Sequence, residues 1–189
     1  YEGTTCTPWT MCPVEKKGTT PSKTADRSCS NCNSGQYQSQ SEFTGTSCTT
    51  WSTCPAGKKV KALPAASLSV DRTCEDCPPG TFQTSGTSTA TSCGTCPVGR
   101  SFASKTAACN FCVDGKFQDQ NNAAPAKCKF CPAGYQYVST TASCTQCATG
   151  QFQASSSTLS VACQSCAAGM HQTAIGQSSC IQNLCTCNS

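Results

Sequence analysis

Residues 112–147 read Cys112-Val-Asp-Gly115-Lys-Phe117-Gln118, a loop to Cys128, Cys128-Lys-Phe-Cys131-Pro132-Ala-Gly134, a shorter loop to Cys144, and Cys144-Thr-Gln-Cys147. The text then restarts as Ala-Thr-Gly150-Gln-Phe152-Gln153. The first of these loops has 15 residues between its cysteines and recurs at Cys32 to Cys48, Cys77 to Cys93, Cys112 to Cys128 and Cys147 to Cys163. The loop that alternates with it varies in length: Cys12 to Cys29, Cys54 to Cys74, Cys96 to Cys109, Cys131 to Cys144 and Cys166 to Cys180. Self-similarity at a fixed spacing marks a linear repeat array and outranks any local reading.

Composition says what must hold such an array together. The chain carries 21 Cys in 189 residues, a density that marks a disulfide scaffold. Leu, Ile, Val and Phe make up only about a tenth of it, well below the roughly 20% of a self-sufficient core. Hydrophobic burial alone therefore leaves one structure unspecified, and cross-links must supply the difference. Disulfides persist in oxidising compartments, so a secreted or cell-surface location is expected. No apolar run approaches the roughly 18 residues of a membrane span. The chain opens at Tyr1 with no signal-peptide pattern, as a processed protein or an excised fragment would. Net charge is +4, thinly spread apart from Lys16-Lys17 and Lys58-Lys59-Val-Lys61. A nucleic-acid surface would show a basic stripe with aromatic platforms, so that role is set aside.

Along the chain we expect a partial first cysteine-rich unit over 1–31, a second over 32–76, and further units over 77–111, 112–146 and 147–189, the last with irregular cysteines. The first two are one subtype. Cys6-Thr-Pro-Trp9-Thr-Met-Cys12 and Cys48-Thr-Thr-Trp51-Ser-Thr-Cys54 place five residues between cysteines where the other junctions place two. Each is followed by near-identical text, Asp26-Arg27-Ser28-Cys29 and Asp71-Arg72-Thr73-Cys74. Regular secondary structure should be sparse, with almost no helix, because Gly, Pro, Ser, Thr and Asn punctuate every few residues. Gly-x-[Phe/Tyr]-Gln after a cysteine pair reads as a turn into a short strand. Tyr37, Phe82, Phe117 and Phe152 hold the aromatic position of the long loops and are expected to pack on the cystines. The fold class is thus a small disulfide-rich, elongated tandem array of β-hairpin and loop modules.

Cys-x-Pro-Trp-Thr-x-Cys, with a loop ending Asp-Arg-x-Cys-x-x-Cys-x-x-Gly-x-Tyr, resembles the cysteine-rich domains of the tumour necrosis factor receptor superfamily. The later Cys-x-x-Cys-Pro-x-Gly units are also similar to ephrin-receptor-like cysteine-rich repeats and to cysteine-rich surface antigens of protists. The resemblance covers nearly the whole chain. It implies an extracellular array and leaves receptor, adhesion stalk and coat as roles.

Spacing bears on the pairing. If each loop closes on itself, the bridges are Cys12–Cys29, Cys32–Cys48, Cys54–Cys74, Cys77–Cys93, Cys96–Cys109, Cys112–Cys128, Cys131–Cys144, Cys147–Cys163 and Cys166–Cys180. The junction then joins two independent loops and its length is free to change, as it does at Cys48 and Cys54. Interlocked pairing stays open, since six cysteines already allow 15 connectivities. Nearest-neighbour pairing leaves Cys6, Cys185 and Cys187. The odd total implies an intermolecular bridge or a partner in a longer chain. We therefore expect the array to continue, head-to-tail between protomers or within a longer polypeptide.

Other chemistries compete for the same residues. Cys-x-x-Cys pairs separated by a dozen or so residues suit zinc, but the Ser/Thr-rich loops, the few charges and the wide Cys6/Cys12 and Cys48/Cys54 pairs favour disulfides. A redox motif needs one exposed Cys-x-x-Cys at a helix start. His171 is the single histidine, yet Gly169-Met-His171-Gln172 fits the turn motif and puts it in an aromatic position. No cofactor, metal or catalytic constellation is expected. Trp9 and Trp51 are candidates for packing against a bridge or, secondarily, for ligand contact. The Ser/Thr-rich loops 84–92, 139–143 and 155–160 suit O-glycans. The expected function is an extracellular structural repeat protein forming a rod, coat, stalk or filament. The alternative is a receptor-like ectodomain that binds a protein ligand.

Overall fold

The computed structural model describes residues 7–63 and 65–183. Among these residues nine disulfides join neighbouring cysteines in sequence: Cys12–Cys29, Cys32–Cys48, Cys54–Cys74, Cys77–Cys93, Cys96–Cys109, Cys112–Cys128, Cys131–Cys144, Cys147–Cys163 and Cys166–Cys180. Each closes one small hairpin, numbered here 1 to 9 in chain order. Cys6, Cys185 and Cys187 lie outside the described residues.

Every hairpin starts the same way. Three residues after its first cysteine sits a residue with positive φ, and a tight turn forms around it. In hairpin 6, the Lys116 N–H donates to the Val113 carbonyl, with Gly115 at φ 90° between them. Glycine suits this turn because it has no Cβ to clash in the left-handed region. Hairpin 1 is the exception, with Glu15 at φ 72°.

The strand leaving the turn pairs with the two residues inside the next Cys-x-x-Cys. Arg100–Ser101 pairs antiparallel with Asn110–Phe111, Tyr135–Gln136 with Thr145–Gln146, and Gln151–Phe152 with Gln164–Ser165. The junction is therefore not a free connector. Its two residues are the returning strand of one hairpin, and the following cysteine begins the next. At the wide junction, Thr49–Thr50 pairs as usual. The Trp51 N–H then donates to Gly35, as the N–H of Cys112 does to Gly99 and that of Cys147 to Gly134. The extra residues follow the paired ones, so the ladder survives the insertion.

Successive hairpins are tied by a repeated backbone bond. The third residue after the turn position donates its N–H to a carbonyl in the distal part of the next hairpin. We call this bond a rung. By contacts the chain divides into two units. In the first, residues 1–76 with 85–92, the rungs run from Gly18 to Gly45, Gln38 to Leu68 and Val60 to Ala90. In the second, residues 77–84 with 93–189, they run from Gln83 to Lys105, Phe102 to Ala126, Gln118 to Thr140, Tyr137 to Val161 and Gln153 to Gln177.

The cores are as small as the composition requires. In the second unit Cys96, Cys109 and Ala126 pack with Phe82, Phe102 and Ala123. Phe117, Cys131 and Val161 pack with Tyr135, Tyr137 and Cys144. Each cluster draws on three consecutive hairpins. Of the four motif aromatics, Phe117 is buried, while Tyr37, Phe82 and Phe152 are half-buried. The most consistently buried motif side chain is instead the glutamine that follows: Gln38, Gln83, Gln118, Gln153 and Gln172 are all buried. In some copies the amide oxygen caps its own loop, while Gln118 Nε2 and Gln153 Oε1 are buried with no partner among the described residues. Gln118 Oε1 accepts the Gln120 N–H at 3.1 Å, and Gln172 Oε1 that of Ala174 at 3.1 Å. His171 pairs with Ile181 in its hairpin and is exposed.

Candidate functional site

Among the described residues no group of three His, Cys, Asp or Glu side chains is placed to hold a metal ion, and no helix is long and apolar enough to cross a membrane. The feature that invites a ligand is in hairpin 1. Its construction is clearest beside hairpin 3, which shares its sequence subtype.

In hairpin 3 the residue after Trp51 is clamped. The Ser52 N–H donates to Asp71 Oδ1 at 2.7 Å and its hydroxyl to Oδ2 at 2.6 Å. Hairpin 1 repeats the clamp: the Thr10 N–H donates to Asp26 Oδ1 at 3.0 Å and its hydroxyl to Oδ2 at 2.5 Å. Each aspartate also accepts the N–H of the arginine that follows it. The hydrogen bonds from the Thr10 side chain and backbone hold the Asp26 carboxyl below the usual carboxylate range. At Asp71 burial pushes the pKa up, and the hydrogen bonds from Ser52, Arg72 and Tyr37 together outweigh it, so the net shift is again downward. The repeated Trp-[Thr/Ser] and Asp-Arg texts are thus two ends of one bidentate clamp.

The tryptophans then part company. Trp51 is half-buried. Its Nε1–H donates to the Ser67 carbonyl at 3.0 Å, and the Arg72 guanidinium lies 4.9 Å above its ring. It packs on a loop carbonyl and an arginine. Trp9, expected in the packing, is 58% exposed. Arg27, the counterpart of Arg72, turns away from it. The Arg27 side chain lies over Gly18 and donates Nε–H to the Thr19 carbonyl at 3.3 Å.

The cause sits at one position. Gly18 faces Cys29 across its hairpin as Val60 faces Cys74. Glycine leaves room for an arginine stem. Val60 is buried and fills the corresponding place, which leaves Arg72 to cover Trp51. As a result Trp9 forms one wall of an open groove of about 800 Å³, lined also by Thr7, Pro8, Ser22, Lys23, Ala25 and Asp26. An exposed indole beside polar side chains is the kind of surface that anchors a protein partner. Sequence reading raised Trp9 as a candidate but missed Thr10, Gly18 and Ser52. The signal for the clamp was the recurrence of Asp-Arg at the same distance from the closing cysteine.

No family model matches the chain, and no curated protein matches it. Among solved structures it is similar to a mouse RANKL–OPG complex, at 15% identity over 92% of this chain and 90% of that one, with a TM-score of 0.31. It is also similar to a human RANKL/OPG complex, at 18% identity over 83% and 90%, with a TM-score of 0.29. The chain is a cysteine-rich array of sequentially bridged hairpins.

Proposed function

We propose that this chain is an extracellular, non-enzymatic recognition protein of receptor-like type, and that the groove beside Trp9 takes a segment of a protein partner. One observation carries the reading: Trp9 is exposed on a groove wall while its counterpart Trp51 is covered. Nine bridges in a chain with so little core point to an oxidising compartment and so to a secreted or surface location. Catalysis has no place in this reading, since binding is the work an exposed indole on a rigid, cross-linked hairpin can do.

The test is a binding screen of the folded protein and its Trp9→Ala variant against cell-surface and secreted proteins. A discrete partner whose affinity falls by roughly 30-fold or more in the variant supports the reading, as for a hot-spot aromatic. A partner bound equally well by both removes the groove from it.

A second reading, a building block of a coat, stalk or filament, is favoured by the tandem repetition of bridged hairpins. In that reading O-glycans sit on exposed hydroxyls such as Thr87, Ser156 and Ser157, but not on Ser88, which is buried and bridged to Cys54. An intact mass equal to the sequence less its bridge protons would exclude the glycans.

A further inference from the structure

The charge of residues 77–189 is gathered in one place. Every Asp, Glu, Lys and Arg among them lies between Arg100 and Lys129, five cations against two carboxylates. Both carboxylates are engaged by hairpin 7. Asp114 accepts the Tyr137 hydroxyl at 2.8 Å and Asp119 that of Ser143 at 2.6 Å. Lys129 Nζ lies 4.0 Å from Asp119. Among the described residues neither Arg100 nor Lys116 pairs with a carboxylate.

These two cations each lie on an aromatic ring. Arg100 and Lys116 follow the turn glycines of hairpins 5 and 6. The Arg100 guanidinium is 3.8 Å from the Phe111 ring centroid, and the Lys116 ammonium 4.2 Å from that of Phe130. Each ring belongs to the residue just before the next opening cysteine. The fold demands no aromatic there, since hairpin 7 has Gln146 facing Tyr135 and hairpin 8 has Ser165 facing Gln151. Phe111 is nonetheless 74% exposed, and Val113, across buried Cys112, is 59% exposed. Val113 opens the turn that Lys116 closes, accepting its N–H. The stretch 111–116 thus carries an exposed apolar pair with a stacked cation at either end. A single exposed apolar side chain is ordinary. An apolar pair bracketed by cations that stacking already holds in place is a surface built to bind at little entropic cost.

We propose that the Phe111–Val113 face, with Arg100 and Lys116, docks an acidic segment of a protein partner that also carries a large apolar side chain. Charge complementarity selects the acid, because the surrounding cations outnumber the carboxylates and the carboxylates are already hydrogen-bonded. The exposed ring and valine select a protein over a sulfated polysaccharide, which would meet the cations and leave Phe111 in water. The proposal does not rest on the Trp9 groove.

Selection of a displayed library of random short peptides on the folded 189-residue protein tests it, with heparin as the polysaccharide probe. Enriched peptides should combine Asp or Glu with a large apolar residue. Their affinity should fall roughly tenfold or more on Phe111→Ser and on Arg100→Gln, the size of one lost anchor, and hold on Trp9→Ala. Both substitutions write in what hairpin 8 carries at the same register, Ser165 and Gln151, so the hairpin should survive them. Circular dichroism checks this, and a variant that does not fold is replaced by Val113→Ala, after Ala148 and Ala167 at the matching position. Peptides without the acidic and apolar pairing, or binders indifferent to these substitutions, overturn the proposal. So does heparin binding that Arg100→Gln abolishes while no peptide is selected. Peptides lost only on Trp9→Ala belong to the groove and equally count against this surface.

Discussion

The stem of Arg27 lies on Gly18: a Cβ there would sit 2.7 Å from Arg27 Cγ and 2.9 Å from Nε. That contact decides whether the neighbouring tryptophan is covered. Where valine takes the glycine's place, the matching arginine stacks on the indole instead.

Gly18→Val should therefore convert hairpin 1 into a copy of hairpin 3. Gly18 is in a strand and has no positive φ, so valine suits its backbone. With Trp51→Phe as background, the remaining Trp9 fluorescence should become less accessible to acrylamide. Partner binding should fall with it. Unchanged quenching would show that Arg27 does not respond to the side chain at 18.

The aspartate clamps predict an acid transition local to the tryptophans. Both carboxyls have native pKa values below the ordinary range. Ionised, they are stabilised by their hydrogen bonds, so the contribution is complete at neutral pH. It is lost as pH falls from the ordinary aspartate value of about 3.9 through the lowered native value. Trp fluorescence should shift in that window while the disulfides stay closed. Asp71→Ala should remove the hairpin 3 part of the shift and cost about 1 kcal/mol, at the low end for a charged hydrogen bond because the site is partly wet. A transition centred above the ordinary aspartate range would contradict the clamp.

Two turn glycines with the same φ sign should differ in how they tolerate alanine. Gly134 has φ 86° and faces the backbone of Gly176, whereas Gly150 has φ 75° and open space. Gly150→Ala should cost about 1–2 kcal/mol, for the left-handed conformation alone. Gly134→Ala adds an overpacking cost of about 1–3 kcal/mol. Amide exchange reads this locally. The Cys147 N–H, bonded to Gly134 at 2.8 Å, should speed up more in Gly134→Ala than the Cys166 N–H, bonded to Gly150 at 2.9 Å, does in Gly150→Ala.

Much of this architecture was legible in the sequence, because spacing and turn chemistry are written in residue types. The cysteine intervals and the glycine three places after the opening cysteine of hairpins 2 to 9 mark out the hairpins. The rungs were not legible. They join backbone groups, and their acceptors, among them Gly45, Leu68, Ala90, Lys105 and Val161, share no side-chain chemistry. The buried glutamines were visible in the motif, but burial was credited to the aromatics. A buried amide becomes favourable only once its own loop supplies donors such as the N–H of Gln120 or Ala174. The two tryptophans have nearly the same local text. What separates them is Gly18 against Val60, several residues away in sequence and linked to the indole through an arginine that lies over Gly18 in one hairpin and over Trp51 in the other.

The account rests on hairpins that each close on themselves, and peptide mapping of the unreduced protein tests this directly. Digestion between cysteines followed by mass spectrometry should recover Cys32 linked to Cys48, Cys96 to Cys109 and Cys131 to Cys144, with the other six sequential pairs. Each link should separate into two peptides on reduction. Peptides joining Cys29 to Cys48, or any pair that skips a cysteine within 12–180, would contradict the stacked-hairpin fold and the rungs and groove built on it.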